Sequence, residues 1–218
     1  MLKYKCLVLD HDDTTVNSTA TVHYPSFVEY MKQYHPERML TLEEYFLYNF
    51  EPGVIPMLTD ICGLSEKEMK DEESYWNAYV KEHIPKVYPG IREIIGEQKK
   101  RGGKVCVISH SFSDNIRRDY RENNLPGPDL IFGWEYPPEQ RKPAPWPLMQ
   151  IMNTFGYKPE DLLVVDDLKP GYDMAKAAGV PFAAAGWAND IEQIERFMRV
   201  NCGLYFKTVE ELRNYLFG

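Results

Sequence analysis

The sequence has few cysteines, a deficit of basic residues and no long apolar run. Its 218 residues include four cysteines, and no two of them have the CxxC spacing of a metal pair. Lysine and arginine total 25 against 33 acidic residues, a formal net charge of −8. This balance argues against binding to duplex nucleic acid or to an anionic membrane surface. The longest weakly polar stretch, residues 180–188, is far shorter than the roughly 20 residues of a membrane-spanning helix.

The composition is otherwise that of a globular protein, with 44% hydrophobic and 27% charged residues. A chain of this length forms one large domain, or a domain with a sizeable insert, without needing a disulfide or a structural metal. Cys6 and Cys106 lie in apolar runs and are expected in the core of a protein from a reducing compartment. This cysteine usage leads us to expect a cytoplasmic protein. The first apolar run spans four residues, too few for a signal-peptide core.

Short, continuous apolar runs recur at wide spacing and predict strands that are buried on both faces, as in a parallel sheet. Helical patterns between them end at glycine or begin with a capping box. The alternation predicts an α/β fold with a doubly wound, Rossmann-like parallel sheet. The predicted strands are residues 6–9, 105–108, 130–132, 162–165, 180–185 and 204–206. The predicted helices among them are residues 91–101, 148–155, 173–179 and 208–216.

Residues 16–87 break this alternation, because they show helical patterns and no strand-like run. The expected helices are residues 25–34, 42–49, 54–62 and 65–83. We therefore expect a core domain of residues 1–15 and 88–218 and an inserted helical domain of residues 16–87. The alternative is that these helices pack into one continuous core.

Two predicted strands run directly into acidic pairs, Asp10 with Asp12 and Asp166 with Asp167. Ligands of open parallel sheets bind beyond the carboxyl ends of the strands, and neighbouring strands lie about 4.8 Å apart. If the two strands are neighbours, four carboxylates converge, and a divalent cation would offset their repulsion. Oxygen ligands without histidine or cysteine favour Mg²⁺. The alternative for each single pair is a helix cap or a turn.

Two further segments add groups that suit an anion. Ser109 ends the strand at 105–108, and a hydroxyl followed by free backbone N–H groups can bind an anion or simply cap a helix. Lys142 lies in a proline-rich, stiff loop before a predicted helix, where it is either a fixed cation or an ordinary surface lysine.

The order of these motifs resembles that of the haloacid dehalogenase-like hydrolase superfamily over nearly the whole chain. The matching segments are residues 7–14, 107–109, 142–145 and 164–167. Residues 88–91 also resemble the return from a helical cap domain in the phosphoglycolate phosphatase and β-phosphoglucomutase branch.

The resemblance implies a role for each matching residue. Asp10 would attack phosphorus to give an aspartyl-phosphate. Asp12 would act as general acid and then as general base. Ser109 and Lys142 would bind the transferring phosphoryl group. The implied metal ligands are Asp10, Asp12 through its backbone carbonyl, and Asp166 and Asp167 directly or through water. His110 and the cap residue His23 are candidate substrate contacts, although His23 could equally pack within the cap.

The expected function is a Mg²⁺-dependent phosphatase that acts on a small phosphorylated metabolite. A carboxyl group at Asp12 suits a leaving alkoxide, which a dehalogenase does not produce. A sugar phosphomutase is the alternative with the same core residues. A receiver-type signalling domain would place its acidic pair and acceptor differently, and a non-catalytic binding protein would not need all these groups. The sequence leaves the oligomeric state open.

Three positions depart from the family pattern. His110 follows Ser109 where the family commonly has asparagine or a small residue. Asp13 follows Asp12 where the family usually has glycine, and it would face solvent or alter the turn. Gly171 takes the second acidic position of the last motif, with Asp173 two residues later.

Overall fold

The computed structural model describes residues 2–218, which fall into two compact units. One unit comprises residues 2–17 and 86–218, and the other comprises residues 18–85. The strands are β1 Cys6–Leu9, β2 Val16–Asn17, β3 Lys86–Val87, β4 Lys104–Ile108, β5 Leu130–Phe132, β6 Leu162–Asp166, β7 Phe182–Ala185 and β8 Leu204–Phe206. The helices are α1 Tyr24–Tyr34, α2 Leu42–Phe50, α3 Val54–Pro56, α4 Glu66–Glu82, α5 Ile91–Lys100, α6 Ser113–Glu122, α7 Trp146–Phe155, α8 Lys169–Ala178, α9 Glu192–Asn201 and α10 Val209–Phe217.

The larger unit is built on a six-stranded parallel sheet in the order β5-β4-β1-β6-β7-β8. The chain builds outward from β1 to β4 and β5, and then returns to place β6 on the other side of β1. This reversal is the point at which ligands bind in open α/β sheets. The predicted α/β, doubly wound, Rossmann-like sheet is confirmed.

The core of this unit lies on the two faces of the sheet. Every residue of β1 is buried, which explains why its sequence is continuously apolar. Helix α5 buries Ile91, Ile94 and Ile95 at helical spacing in the same apolar cluster as Leu7 and Val105. The four cysteines are buried free thiols, as expected for Cys6 and Cys106.

The smaller unit is helical and has an apolar core of its own. Phe27 and Met31 of α1 pack in this core with Met57 and Leu64. Helix α4 begins at a capping box in which the Ser65 and Glu68 side chains each accept from the other's backbone N–H group. The capping box predicted for α4 is thus confirmed.

Several predicted elements need correction. The helix expected at 173–179 begins at Lys169, because Pro170 occupies the first turn, where a missing N–H group has no cost. The helix expected at 54–62 is a short α-turn followed by a π-helical segment, Met57–Ile61. Residues 16–17 and 86–87, expected in or beside a helical insert, form a short antiparallel ladder. Helices α6 and α9 were not predicted.

No helix within residues 2–218 combines the length and the apolarity that crossing a membrane would require.

The burial of β4 predicts the outcome of a pair of chemically identical substitutions. Val105→Ala removes two methyl groups from a fully buried site and should lower the free energy of unfolding by roughly 2 kcal/mol. Val200→Ala removes the same groups from a residue that is 77% exposed and should change it by less than about 0.5 kcal/mol. Urea unfolding of both variants measures the difference. Equal losses would contradict the assignment of Val105 to the core.

Candidate active site

Three carboxylates meet at the carboxyl ends of β1 and β6, which are neighbouring strands. The register pairs Leu9 with Val165, so that Asp10 and Asp166 leave the sheet at the same level, and the Asp10 N–H donates to the Val165 carbonyl at 2.9 Å. Carboxylate oxygens of Asp10, Asp166 and Asp167 lie within 4.8 Å of one another, and all three residues are buried. The sequence predicted that four carboxylates converge if the strands are adjacent. The strands are adjacent, and three of the four carboxylates form this cluster.

The Lys142 ammonium joins two of these carboxylates. Its Nζ donates to Asp10 Oδ1 at 2.6 Å and to Asp166 Oδ2 at 2.7 Å. The lysine is itself buried, so it is not the ordinary surface lysine of the alternative interpretation. The second oxygen of Asp166 accepts the Leu168 backbone N–H at 2.9 Å, which holds the carboxylate at the start of α8.

Asp12 is held by two serines that follow β4. The hydroxyls of Ser109 and Ser111 both donate to Asp12 Oδ2, at 3.0 and 2.7 Å. The Ser109 oxygen also accepts the Ser111 backbone N–H at 2.9 Å. Sequence reasoning identified Ser109 and missed Ser111. The available signal was the spacing of two residues, which in extended backbone brings side chains to the same face.

His110 supports the backbone that carries Lys142. A carbonyl oxygen only accepts, so the contact of 3.1 Å from His110 Nε2 to the Lys142 carbonyl is a donated N–H bond. Burial and the neighbouring Lys142 charge lower the pKa of His110 to about 4, which keeps the ring neutral at pH 7. The Arg141 guanidinium stacks on the Trp134 ring at 3.6 Å beside it. The expected contact of His110 with substrate stays a prediction.

Gly171 leaves room for the Asp166 side chain. A Cβ atom at this position would lie 2.1 Å from Asp166 Oδ2, the oxygen that accepts from Lys142. The glycine is in α8 with ordinary helical geometry, so space and not backbone freedom requires it. The family motif predicts an acidic residue here, whereas in this chain any side chain would displace Asp166.

Two threonines in the turn after β1 form hydrogen bonds that hold the turn in place. Thr15 Oγ1 donates to the Asp10 carbonyl at 2.7 Å, and Thr14 Oγ1 donates to Asp167 Oδ1 at 3.3 Å. Between them and Asp12 lies Asp13, which is 3% exposed. The expectation that Asp13 could face solvent is therefore wrong.

His11 joins the same turn to helix α6. Its Nε2 lies 3.0 Å from Asp119 Oδ2 in α6, and both residues are buried. Arg118 donates to the other oxygen of Asp119 at 2.7 Å. A carboxylate paired with arginine is an acceptor, so Nε2 of His11 carries the hydrogen.

The electrostatics of the carboxylate cluster favour added positive charge. Burial raises the pKa of Asp10 well above its usual range; Lys142 opposes the shift, and Asp166 and Asp12 add to it. Burial likewise raises the pKa of Asp167, with Asp13 and Asp166 adding to the rise. For Lys142, burial lowers the pKa, but the charges of Asp10 and Asp166 outweigh this and keep the amine protonated.

The donor set fits a hard divalent cation. The clustered ligand atoms are all carboxylate oxygens, the type that Mg²⁺ prefers. Asp167 Oδ2 is buried and, within the described part of the chain, has no hydrogen-bond partner. A buried anionic oxygen in this state is costly unless a cation or a donor faces it.

His23 lies in the helical unit of residues 18–85. Its Nδ1 accepts the Trp76 indole N–H at 3.0 Å. An indole N–H only donates, so in this arrangement the hydrogen of a neutral His23 is on Nε2. The expected contact of His23 with substrate stays a prediction.

Known proteins with similar sequences include haloacid dehalogenase-like hydrolases and proteins named as phosphatases. The haloacid dehalogenase-like hydrolase profile matches residues 7–185. A phosphoglycolate phosphatase of Aquifex aeolicus is 29% identical over 158 residues, which cover 67% of this chain and 74% of that protein. The pyrophosphatase PpaX of Bacillus cereus is 23% identical and covers 85% of each chain.

A solved structure shows the same fold. A predicted phosphoglycolate phosphatase from Haemophilus somnus superposes with a TM-score of 0.76 at 19% identity and covers 99% of both chains. Because the family profile spans most of the sequence and the motif residues meet at one edge of the sheet, the chain belongs to the haloacid dehalogenase-like hydrolase family.

Proposed function

We propose that this protein is a Mg²⁺-dependent phosphatase that hydrolyses a small phosphomonoester through an aspartyl-phosphate on Asp10. The observation that carries the proposal is the position of the Lys142 ammonium, 2.6 Å from Asp10 and 2.7 Å from Asp166, beside the buried Asp167. This arrangement places a nucleophilic carboxylate next to a fixed cation, which suits attack on an electron-rich phosphoryl group.

In the first step, an oxygen of Asp10 attacks phosphorus and the ester P–O bond breaks. The electron pair of that bond leaves with the alcohol oxygen, which takes a proton from the Asp12 carboxyl group. Ser109 and Lys142 bind the phosphoryl oxygens while the group passes through a loose transition state, for which positioning and charge matter most. In the structure the hydroxyls of Ser109 and Ser111 both donate to Asp12 Oδ2, at 3.0 and 2.7 Å. Ser109 has one hydroxyl hydrogen, so it would turn from Asp12 to the phosphoryl group while Ser111 continues to hold Asp12.

In the second step, water attacks phosphorus and Asp12, now a carboxylate, accepts a proton from that water. The bond between phosphorus and Asp10 breaks, inorganic phosphate leaves, and both carboxyl groups return to their starting states. The Lys142 ammonium, which donates to Asp10 Oδ1 at 2.6 Å, would stabilise the carboxylate when it departs from phosphorus.

Asp10, Asp166 and Asp167 would hold the cation through carboxylate oxygens, and Asp12 through its backbone carbonyl. When bound, Mg²⁺ would supply positive charge that offsets these carboxylates and the incoming phosphate dianion.

The substrate proposal is a small phosphorylated metabolite, which His23 and His110 would contact. The names of the relatives put phosphoglycolate and pyrophosphate first among the compounds to test. A phosphomutase would use the same core groups but return the phosphoryl group to a sugar. Release of inorganic phosphate distinguishes hydrolysis from that transfer.

The first test concerns the nucleophile and the cation. The wild-type protein should release phosphate from p-nitrophenyl phosphate or acetyl phosphate with Mg²⁺ and should stop when EDTA is added. Asp10→Asn should lower turnover by roughly 10⁴-fold or more, because an amide cannot displace the leaving group. Acid quenching of the wild-type reaction followed by peptide mass analysis should find a phosphoryl group on the peptide that contains Asp10.

Asp114→Asn is the matched control, since its side chain is 97% exposed and the change in charge is the same. It should retain wild-type turnover. Full activity of Asp10→Asn with an intact fold would overturn the nucleophile assignment.

The second test concerns the leaving group. Asp12→Asn should lower kcat for an alkyl phosphate by roughly 10²–10⁴-fold, because the departing alkoxide then receives no proton. The loss should be much smaller for the formation of aspartyl-phosphate from p-nitrophenyl phosphate, whose leaving phenolate needs none. Burst kinetics with the two substrates measure this ratio. An equal loss of the first step for both would show that Asp12 is not the general acid.

The third test concerns the space that Gly171 leaves for the Asp166 carboxylate. Gly171→Ala should displace the Asp166 carboxylate and lower kcat, with a loss of the Lys142 contact, since the added Cβ would lie 2.1 Å from Oδ2. Gly96→Ala is the matched control in α5, where nothing lies within 4 Å of the added Cβ. It should leave kcat unchanged and raise the free energy of unfolding by roughly 0.5–1 kcal/mol. Wild-type kcat for Gly171→Ala would contradict the proposed role of Asp166.

A further inference from the structure

The residues after β5 pack against the serine loop, residues 109–112 between β4 and α6. The Trp134 N–H group donates to the Ser111 carbonyl at 3.0 Å. Where the loop enters α6, the Glu135 carboxylate accepts the backbone N–H group of Ser113 at 3.1 Å and also accepts from its hydroxyl. Two consecutive residues after β5 therefore hold the end of the serine loop through its backbone.

Gly133 allows these two segments to approach closely. A Cβ atom at this position would lie 2.6 Å from the backbone nitrogen of Ser113 and 2.7 Å from the carbonyl oxygen of Ser111. Both are backbone atoms, which cannot swing aside as the end of a flexible side chain can. The φ angle of Gly133 is outside the left-handed region, so space and not backbone freedom requires the glycine. The position of Trp134 beside the serine loop is thus set by backbone contact.

Trp134 also contacts the lysine loop, residues 141–145 before α7. The guanidinium carbon of Arg141 lies 3.6 Å from the centroid of the Trp134 ring, and Arg141 Nη1 donates to the Trp134 carbonyl at 3.1 Å. A guanidinium group on an indole face is attracted by the ring, and the hydrogen bond adds direction to this contact. His110, which donates to the Lys142 carbonyl at 3.1 Å, meets the Trp134 ring edge-on with 5.5 Å between the ring centroids.

The two loops carry the two groups that are proposed to bind the phosphoryl oxygens. The serine loop supplies the Ser109 hydroxyl, and the lysine loop supplies the Lys142 ammonium. Arg141 directly precedes Lys142 in the chain, so its contacts with Trp134 restrain the lysine relative to the serine loop. A displacement of about 1 Å among groups that hold a reacting atom can cost about 100-fold in rate.

We propose that Trp134 is a positioning residue that fixes the serine loop and Lys142 at the spacing that phosphoryl transfer needs. It acts through its backbone on the serine loop and through its ring and carbonyl on Arg141, and no step of the reaction requires it to touch substrate. This inference rests on the proposed phosphatase function. It adds a residue that lies between the serine and lysine motifs of the sequence and belongs to neither.

The first variants test the ring. Trp134→Ala should lower kcat for p-nitrophenyl phosphate about 10- to 100-fold with a smaller change in KM, because misplaced Ser109 and Lys142 matter most in the transition state. Trp134→Phe keeps an aromatic face for the guanidinium group and should restore most of the lost kcat. Steady-state kinetics with Mg²⁺ measure both constants, and circular dichroism checks the fold. Wild-type kcat for folded Trp134→Ala, or an equal loss in Trp134→Phe, would overturn the inference.

A double-mutant cycle tests the path through Arg141. Arg141→Ala should lower kcat to an extent comparable with Trp134→Ala, and the double variant should be no worse than the more impaired single variant, because both changes break the same contact. Arg141 is partly exposed, so its variant decides the question even if Trp134→Ala does not fold. Wild-type kcat for Arg141→Ala, or losses that multiply in the double variant, would contradict a shared path.

Arg117→Ala is the matched control, since it removes the same side chain from a residue whose side chain is 58% exposed. It should keep the wild-type kcat and KM. A loss equal to that of Arg141→Ala would assign the effect to net charge and would sink the inference. If the wild-type protein releases no phosphate from p-nitrophenyl phosphate with Mg²⁺, the proposed function fails and the inference fails with it. If the wild-type protein, Trp134→Ala and Arg141→Ala are equally active, only the role of Trp134 fails.

Discussion

The rest of the site depends on the bond of one buried lysine to two carboxylates that come from neighbouring strands. Two unit charges 4.8 Å apart repel by about 3 kcal/mol at an effective dielectric constant of 20, so Asp10 and Asp166 need a cation between them. Lys142 meets this need with contacts of 2.6 and 2.7 Å. Because all three groups are buried, loss of any one would leave a charge without its partner, which is more costly than the pair is stabilising.

The order of the strands makes this bond possible. Since β1 lies between β4 and β6, a residue at its carboxyl end is flanked by residues from both neighbours. The β4 side presents the hydroxyls of Ser109 and Ser111, and the β6 side presents carboxylates. Neutral donors thus face Asp12, and charged groups face Asp10. The separation suits two different tasks, since a proton-transfer group must both give and take a proton, whereas a nucleophilic carboxylate must be ionised when it attacks.

Features that follow from local sequence patterns, such as the buried strands, could be predicted. Features that depend on which side chains from distant parts of the chain lie close together could not. Continuous apolar runs showed where the buried strands lie, and acidic residues directly after two of them placed Asp10 and Asp166 at one edge. The need for glycine at 171 follows from the position of the Asp166 carboxylate, which no pattern in one sequence records. The burial of Asp13 is likewise a tertiary property that one sequence does not record. Helix α6 escaped prediction because its sequence is mostly polar and only Ile116 and Tyr120 give it an apolar stripe.

The turn from Asp10 to Thr15 explains how an unfavourable backbone angle, the left-handed φ of +58° at Asp13, can persist in this site. Its side chains form hydrogen bonds to five places: Lys142 in the loop before α7, helix α6, the residues after β4, the end of β6, and the turn itself. The bonded pairs are Asp10 with Lys142, His11 with Asp119, Asp12 with Ser109 and Ser111, Thr14 with Asp167, and Thr15 with the Asp10 carbonyl. Relaxing the φ angle of Asp13 would rotate its neighbours and break several of these bonds together, at about 1 kcal/mol each or more where a charge is involved. A left-handed aspartate costs of order 1–3 kcal/mol, so the surrounding bonds outweigh the strain and hold the carboxylate where solvent would otherwise draw it out.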